Sequence, residues 1–254
     1  SKNLKHIIYH PVFFFSFYSF ITLLFLFLGI KKESEHYIIS VFVLYCIFYH
    51  HYLFNTIRQG VVMGVFIYST TFIINRNLIK VLLISFLSSL IHTSGLLILV
   101  AYFLSFIKIK SRFILILLLL TTIIVWQVGL GEKIFTFFVL TFNNLVPTNL
   151  YMYVKVFLYD HSFTQVLQRL LVIIPLIYYY PILSDSDRFQ KLFSIYLFGL
   201  VFYLFFGFFG LFVARINMFF RILEILLIPI LYQKLKTKNQ KLVVQFCIMI
   251  WCFT

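Results

Sequence analysis

Residues 54–60 read Phe-Asn-Thr-Ile-Arg-Gln-Gly, and they open an apolar segment that continues to Ile74. They place the permanent charge of Arg58 and the amides of Asn55 and Gln59 at the start of that segment. An arginine at the centre of a membrane helix costs about 2.5 to 3.5 kcal/mol on insertion scales. We therefore expect Arg58 to have an anionic partner.

The composition predicts an all-α, polytopic membrane protein. Of its 254 residues, 63% are hydrophobic and 11% are charged, and the mean hydropathy is +1.04. Soluble domains carry about 25% charged residues, and the long apolar runs do not fit the short alternating strands of a transmembrane barrel. We expect a single integral-membrane domain over residues 1–254, with about eight to nine membrane segments. We also expect truncation at both ends, since the chain begins at Ser1 and ends in an apolar run.

The charges and the cysteines argue against two other classes of protein. The net charge of +14 comes largely from Lys and Arg in short loops between apolar segments, so we expect no nucleic-acid partner. The three cysteines lie inside apolar segments, and their spacing predicts neither a metal site nor a disulfide framework.

A break in the apolar stretch 81–107 leaves two alternatives open. The stretch is too long for one typical span, and residues 91–95, Ile-His-Thr-Ser-Gly, weaken a helix near its middle. It forms either one long tilted helix or a short, re-entrant hairpin with His92 near its tip. Further along the chain, residues 192–213 read as one span.

The basic loops favour one of these alternatives. The positive-inside rule places loops rich in Lys and Arg in the cytoplasm. The loops concerned are 31–32, 76–80, 108–112, 188–191 and 234–241. All of them fall on the cytoplasmic side only if 81–107 is a hairpin, so the rule favours the hairpin. Residues 131–164 then form an external loop, and Arg58, Gln59, His92 and Arg215 converge in the outer half of the membrane.

Arg58 and Arg215 are the strongest candidates for ligand binding. A guanidinium group binds phosphate through two parallel hydrogen bonds and stays charged, so a pair of them suits a pyrophosphate at the membrane surface. Alternatively, each could extend toward the lipid headgroups. His92 could act as a general base, or it could pin the hairpin tip through a hydrogen bond. Arg221 is a weaker candidate, because it could pair with Glu224 three residues further on.

Three short motifs occur in the order and membrane context of a known family. They are Asn55-Thr56-Ile57-Arg58-Gln59, His92-Thr93-Ser94 and Arg215-Ile216-Asn217-Met218-Phe219-Phe220. In these motifs the chain resembles the EpsG-like branch of the Wzy polysaccharide polymerases, in which N-x-x-R-Q, H-x-S and R-x-x-x-Y/F-F recur in this order. The resemblance covers roughly residues 49–231, and the chain has Phe219 where tyrosine is common.

The resemblance implies both a fold and a function. Such proteins are integral-membrane glycosyltransferases similar to the GT-C type, and they polymerise the repeat units of O-antigen, capsule or exopolysaccharide. Their glycan substrates are carried on undecaprenyl pyrophosphate at the outer face of the bacterial cytoplasmic membrane. We therefore expect no nucleotide sugar, no cofactor and no metal ion. Membrane lipid, a chain-length regulator and a flippase are the further partners that the resemblance implies.

On this resemblance we expect Arg58 and Arg215 to bind the pyrophosphate, and His92 to orient or deprotonate the acceptor hydroxyl. Substrate-binding roles are expected for six further residues: Asn55, Gln59, Ser94, Arg221, Tyr151 and Tyr153. The two tyrosines lie in the external loop, where they could stack on sugar faces or anchor the loop at the interface. Two other functions stay open: a membrane O-acyltransferase that modifies exported glycan, and a flippase or transporter for the lipid-linked glycan.

Overall fold

The structure is a computed structural model, and it describes residues 11–49, 56–109, 111–141 and 163–252. Within these ranges every regular element is helical and none is a strand, which confirms the predicted all-α class. The α-helices are α1 (Pro11–Glu33), α2 (Tyr37–Val43), α3 (Ile57–Ile74), α4 (Leu78–Ile91), α5 (Leu97–Leu104), α6 (Arg112–Gln127), α7 (Leu130–Thr141), α8 (Phe163–Tyr178), α9 (Tyr180–Leu183), α10 (Asp187–Phe205), α11 (Leu211–Arg221), α12 (Glu224–Lys234) and α13 (Lys238–Cys252).

Several of these helices are suited to cross a membrane. In the described part of the chain, α1, α3 and α10 are each long and apolar enough to span it alone. The pair α6 and α7 meets the same criteria together but is bent by 65°. Shorter apolar helices make up much of the remainder. The count of about eight to nine membrane segments therefore stays a prediction.

Two glycines let α1 and α3 pack closely. A Cβ added at Gly29 would lie 2.8 Å from the Ile67 side chain, and one at Gly64 would lie 2.9 Å from the Cβ of Phe25. Small residues at helix contacts allow backbones to approach in a membrane, where dispersion forces drive association. The close packing holds α3 near the centre of the bundle, and two-thirds of its span is buried.

The stretch 81–107 is a helical hairpin, as the charge pattern predicted. Its two helices, α4 and α5, run antiparallel and are joined through a 3₁₀ turn, Thr93–Leu96. The Ser85 hydroxyl donates to the Gly95 carbonyl at 2.9 Å, and the Tyr102 hydroxyl reaches the Arg76 carbonyl at 3.5 Å. A Cβ at Gly95 would lie 2.4 Å from the Ser89 nitrogen, so the turn requires glycine. His92 lies at the hairpin tip.

The prediction of one span over 192–213 is wrong. Helix α10 ends at Phe205, and α11 returns along it after Gly210, which has a φ of +55°. The Asn217 side chain donates to the Gly199 carbonyl at 2.8 Å, eighteen residues earlier. A positive φ favours glycine because it lacks a Cβ, and this residue permits the reversal. The reversal places Arg215 on a helix of its own.

The basic loops meet at one end of the bundle. Glu33 pairs with Lys32 and with Arg188, and its carboxylate lies 3.3 Å from the charged nitrogen in both cases. Lys191 donates from Nζ to the Ile74 carbonyl at 2.9 Å, at the last turn of α3. The loops that the positive-inside rule assigns to the cytoplasm are thus neighbours in space.

The beginning of α3 lies at the opposite end. Arg58 precedes Ile74 by about four and a half helical turns, which corresponds to roughly 24 Å along the axis. Arg58 and the basic loops are therefore separated by most of the thickness of a bilayer core, roughly 30 Å.

One cysteine departs from the sequence-based expectation. Cys46, in the π-helical turn Leu44–Phe48 that continues α2, is disulfide-bonded, although the cysteine spacing predicted no disulfide framework. The other two cysteines have side chains outside the described set.

Candidate functional site

A polar cavity of about 230 Å³ lies at the end of the bundle opposite the basic loops. Its lining consists of Phe14, Thr56, Ile57, Arg58, Gln59, His92 and Arg215. These residues come from the start of α1, the start of α3, the hairpin tip and α11. The structure thus brings together four residues that the sequence analysis placed at one depth. A larger cavity of about 410 Å³ lies between α8, α12 and α13, and none of its described lining residues is charged, so it offers less to a charged ligand.

The two arginines of the cavity differ from the others in the chain. Five of the seven arginines have their guanidinium group on a protein partner: Arg76 on Phe106, Arg112 on Tyr178, Arg169 on Asn217, Arg188 on Glu33 and Arg221 on Glu224. Within the described ranges, the guanidinium groups of Arg58 and Arg215 have no ion pair and no hydrogen bond. Both side chains are exposed, and none of the described lining residues is acidic. The cavity therefore carries two positive charges that no residue in the described part of the chain neutralises.

The N-terminus of α3 adds to this positive potential. The first N–H groups of a helix have no acceptor within it, and they carry a partial positive charge of roughly half a unit. Thr56 occupies the N-cap position, but its side chain makes no capping hydrogen bond to the helix. Residues 56–59 line the cavity, so the amides of this first turn lie beside it. A helix N-terminus together with unpaired guanidinium groups suits a phosphate.

Gln59 connects the two helices that carry the arginines. Its side chain is 4% exposed, and its Nε2 donates to the Arg215 carbonyl at 3.0 Å. The carbonyl can only accept, so the orientation of the amide is determined. Gln59 thus fixes the α11 backbone at Arg215 against the first turn of α3, beside Arg58.

His92 is held by the turn that follows it. Its Nδ1 accepts the backbone N–H of Ser94 at 3.2 Å and lies 2.9 Å from the Ser94 hydroxyl. The ring thereby caps the 3₁₀ turn of the hairpin tip. The ring lies in one cavity with the guanidinium groups of Arg58 and Arg215, and their charges disfavour a third positive charge there.

The last motif of the sequence anchors α11. The Phe219 ring stacks on Phe66 of α3, with centroids 4.6 Å apart. Phe220 packs over Gly199 of α10, where an added Cβ would lie only 2.5 Å from its own. The two aromatic residues therefore fix α11 between α3 and α10 and determine where Arg215 enters the cavity.

Sequence reasoning missed Arg169, which supports α11 from another side. This buried side chain donates from Nε to Oδ1 of Asn217 at 2.9 Å, and its guanidinium group lies 3.7 Å from the centre of the Tyr203 ring. A signal was present, because a charge inside an apolar segment marks a buried polar contact. Arg169 is such a charge, within the segment that forms α8.

Other predicted site residues lie elsewhere. Arg221 is buried and forms an ion pair with Glu224, with Nε 3.0 Å from Oε1, and it does not line the cavity. Ser94 is buried behind His92 and does not line the cavity either. Asn55, Tyr151 and Tyr153 lie outside the described residues. Within the described ranges, no three His, Cys, Asp or Glu side chains come close enough to share a metal ion.

Comparison with known families gives a match over nearly the whole chain. The model of the family described as the EpsG family matches residues 3–254. No curated protein and no solved structure matches the chain.

Proposed function

Because the chain belongs to the EpsG family, a family of membrane proteins in polysaccharide biosynthesis, we propose that it is a polysaccharide polymerase. In this proposal it is a membrane glycosyltransferase that joins oligosaccharide repeat units carried on undecaprenyl pyrophosphate. The reaction takes place at the outer face of the bacterial cytoplasmic membrane, and the chain crosses this membrane several times.

The observation that carries the proposal is the unpaired charge of the cavity. Arg58 and Arg215 have no protein partner within the described residues, and they share a cavity with the first turn of α3. This arrangement supports an anionic ligand with several acceptor oxygens. A lipid pyrophosphate is such an anion, and it lies at the membrane surface, where an end of the helix bundle is accessible.

The roles of the residues follow from the chemistry of glycosyl transfer. An acceptor hydroxyl attacks the anomeric carbon of the donor glycan, the bond from that carbon to the phosphate oxygen breaks, and the electron pair leaves with the lipid pyrophosphate. Arg58 and Arg215 stabilise the negative charge that develops on it. His92 orients or deprotonates the acceptor hydroxyl, and the proton of that hydroxyl passes to His92 or to an oxygen of the leaving pyrophosphate. Tyr151 and Tyr153, in the segment between α7 and α8, would contact the glycan.

Polymer length in cells tests this function. We expect Arg58→Ala and Arg215→Ala to shorten the polymer on gels, since loss of a charge-assisted hydrogen bond costs about 1.5 to 3 kcal/mol, or about 10- to 100-fold in rate. His92→Ala should shorten it as well. Arg112→Ala is the matched control, because Arg112 lies over Tyr178 and does not line the cavity. All four variants are compared at equal amounts in the membrane.

Polymer from these variants and from a strain that lacks the protein distinguishes the competing functions. Long polymer from Arg58→Ala, Arg215→Ala and His92→Ala would contradict the proposal. In a strain that lacks the protein, loss of acyl groups from polymer of normal length would identify an acyltransferase. Accumulation of single repeat units on the cytoplasmic face would identify a flippase.

A further inference from the structure

We propose that His92 binds the pyrophosphate directly, as a hydrogen-bond donor through Nε2–H, and does not act as a base. It would be the third side-chain donor of the cavity, beside Arg58 and Arg215. This inference rests on the proposed function, since it requires a pyrophosphate in the cavity. It keeps the hydrogen bond by which His92 pins the hairpin tip, adds an anion contact, and replaces the role of a base for the acceptor hydroxyl.

The hydrogen bond from Ser94 determines which nitrogen of His92 carries the proton. A backbone amide can only donate, so Nδ1 must offer its lone pair to the Ser94 N–H. A neutral imidazole has one N–H, which is therefore at Nε2. Hydroxyl orientation does not affect this conclusion, because the Ser94 hydroxyl can donate as well as accept.

A base at this position would need the opposite arrangement. To accept a proton at Nε2, the neutral ring would have to carry its own proton on Nδ1. That N–H would face the N–H of Ser94, and the cap of the 3₁₀ turn would be lost. Full protonation of the ring places the same two donors against each other and adds a third positive charge beside Arg58 and Arg215. The structure therefore favours a donor at Nε2.

The free edge of the ring is available to a ligand. His92 is one of the residues that line the cavity. Its Nδ1 is engaged behind it by Ser94, and its Nε2 has no hydrogen-bond partner in the described part of the chain. A phosphate oxygen accepts hydrogen bonds and donates none when ionised, so it matches an N–H donor. Two guanidinium groups and one imidazole N–H would surround the same anion.

Three substitutions separate the donor role from the capping role. The side-chain amide of glutamine places an N–H near the position of Nε2, whereas asparagine places an acceptor near that of Nδ1 and is a good cap. His92→Gln thus keeps the donor, His92→Asn keeps the cap, and His92→Ala keeps neither. The full chain in nanodiscs is titrated with inorganic pyrophosphate by calorimetry, and thermal unfolding is measured for each variant.

We expect His92→Gln to bind pyrophosphate within about threefold of the wild type, and His92→Asn and His92→Ala to bind about 10- to 100-fold more weakly. Wild-type affinity in His92→Asn with weak binding in His92→Gln would reduce His92 to a cap and overturn the inference. Wild-type affinity in all three variants would also overturn it. If the wild-type chain binds no pyrophosphate, or if Arg58→Ala binds it equally well, the proposed function fails and this inference fails with it.

Discussion

Replacement of Gln59 by methionine tests whether the hydrogen bond between α3 and α11 positions Arg58 and Arg215 to bind one ligand together. Methionine has a similar length and fits a buried site, but it cannot donate the hydrogen bond that Nε2 of Gln59 gives to the Arg215 carbonyl. The carbonyl keeps its helical hydrogen bond, since it lies inside α11. The substitution therefore removes one connection between α3 and α11 without leaving a buried acceptor unpaired. Both guanidinium groups remain present.

The expected magnitude follows from that single bond. A net hydrogen bond contributes about 0.5 to 1.5 kcal/mol to the free energy of unfolding, so stability should fall by that amount. The coupling between Gln59 and the ligand cannot exceed the energy of the bond that transmits it. Pyrophosphate affinity should accordingly fall by about 2- to 10-fold. Arg215→Ala should lower the pyrophosphate affinity further, by about 10- to 100-fold.

A matched control exists at the other end of the bundle. Gln190 donates from Nε2 to the Ser184 carbonyl at 2.6 Å, which is the same kind of bond far from the cavity. Gln190→Met should lower stability by a similar amount and leave the affinity unchanged. The assay combines thermal unfolding with calorimetric titration of pyrophosphate, both on the full chain in nanodiscs. Equal effects of Gln59→Met and Gln190→Met on affinity would refute the reasoning, because stability alone would then explain the loss.

Two further predictions concern the supports of the site. Gly64→Leu should lower the free energy of unfolding by about 1 to 3 kcal/mol in a thermal melt, because a Cβ there would lie 2.9 Å from that of Phe25. Gly129→Asn should lower it less, because nothing lies within 4 Å of the added Cβ and asparagine is among the non-glycine residues that best tolerate the φ of +63°. Glu224→Gln should lower the free energy of unfolding by about 3 to 5 kcal/mol, because it removes the carboxylate from the buried ion pair with Arg221. Folded protein is measured by gel filtration in detergent, and a wild-type yield would contradict the second prediction.

The arrangement of the two ends of the bundle could be predicted from the sequence. Charges are costly in hydrocarbon wherever they occur, so the distribution of Lys and Arg limits the topology without knowledge of any tertiary contact. That rule favoured a hairpin at 81–107, and the contact between Tyr102 and Arg76 confirms it. With the hairpin in place, His92 had to lie near the start of α3. The catalytic roles of the residues that met there stay predictions.

Other features depend on tertiary packing and could not be predicted. The reversal at Gly210 occurs within an apolar run, where glycines are also common inside uninterrupted membrane helices. Nothing local shows that α11 turns back along α10. The partner of Gln59 is likewise 156 residues away in sequence. Gln59 was expected to bind substrate, which stays a prediction, and the structure adds a hydrogen bond from its amide to the Arg215 backbone.

The buried arginines of the chain show why the unpaired guanidinium groups of Arg58 and Arg215 indicate a ligand site. Arg169 and Arg221 are buried and have polar or ionic partners, because a buried guanidinium group without them would be strongly destabilising. Arg58 and Arg215 are exposed, so water can solvate them when no ligand is bound, and the cavity lining that the structure describes contains no carboxylate. Attraction to lipid headgroups alone would require only this exposure. It would not require Gln59 to fix the Arg215 backbone, nor the N-terminus of α3 to line the same cavity. Donors that converge from α3, the hairpin tip and α11 support the proposed ligand, a leaving pyrophosphate held in one defined orientation.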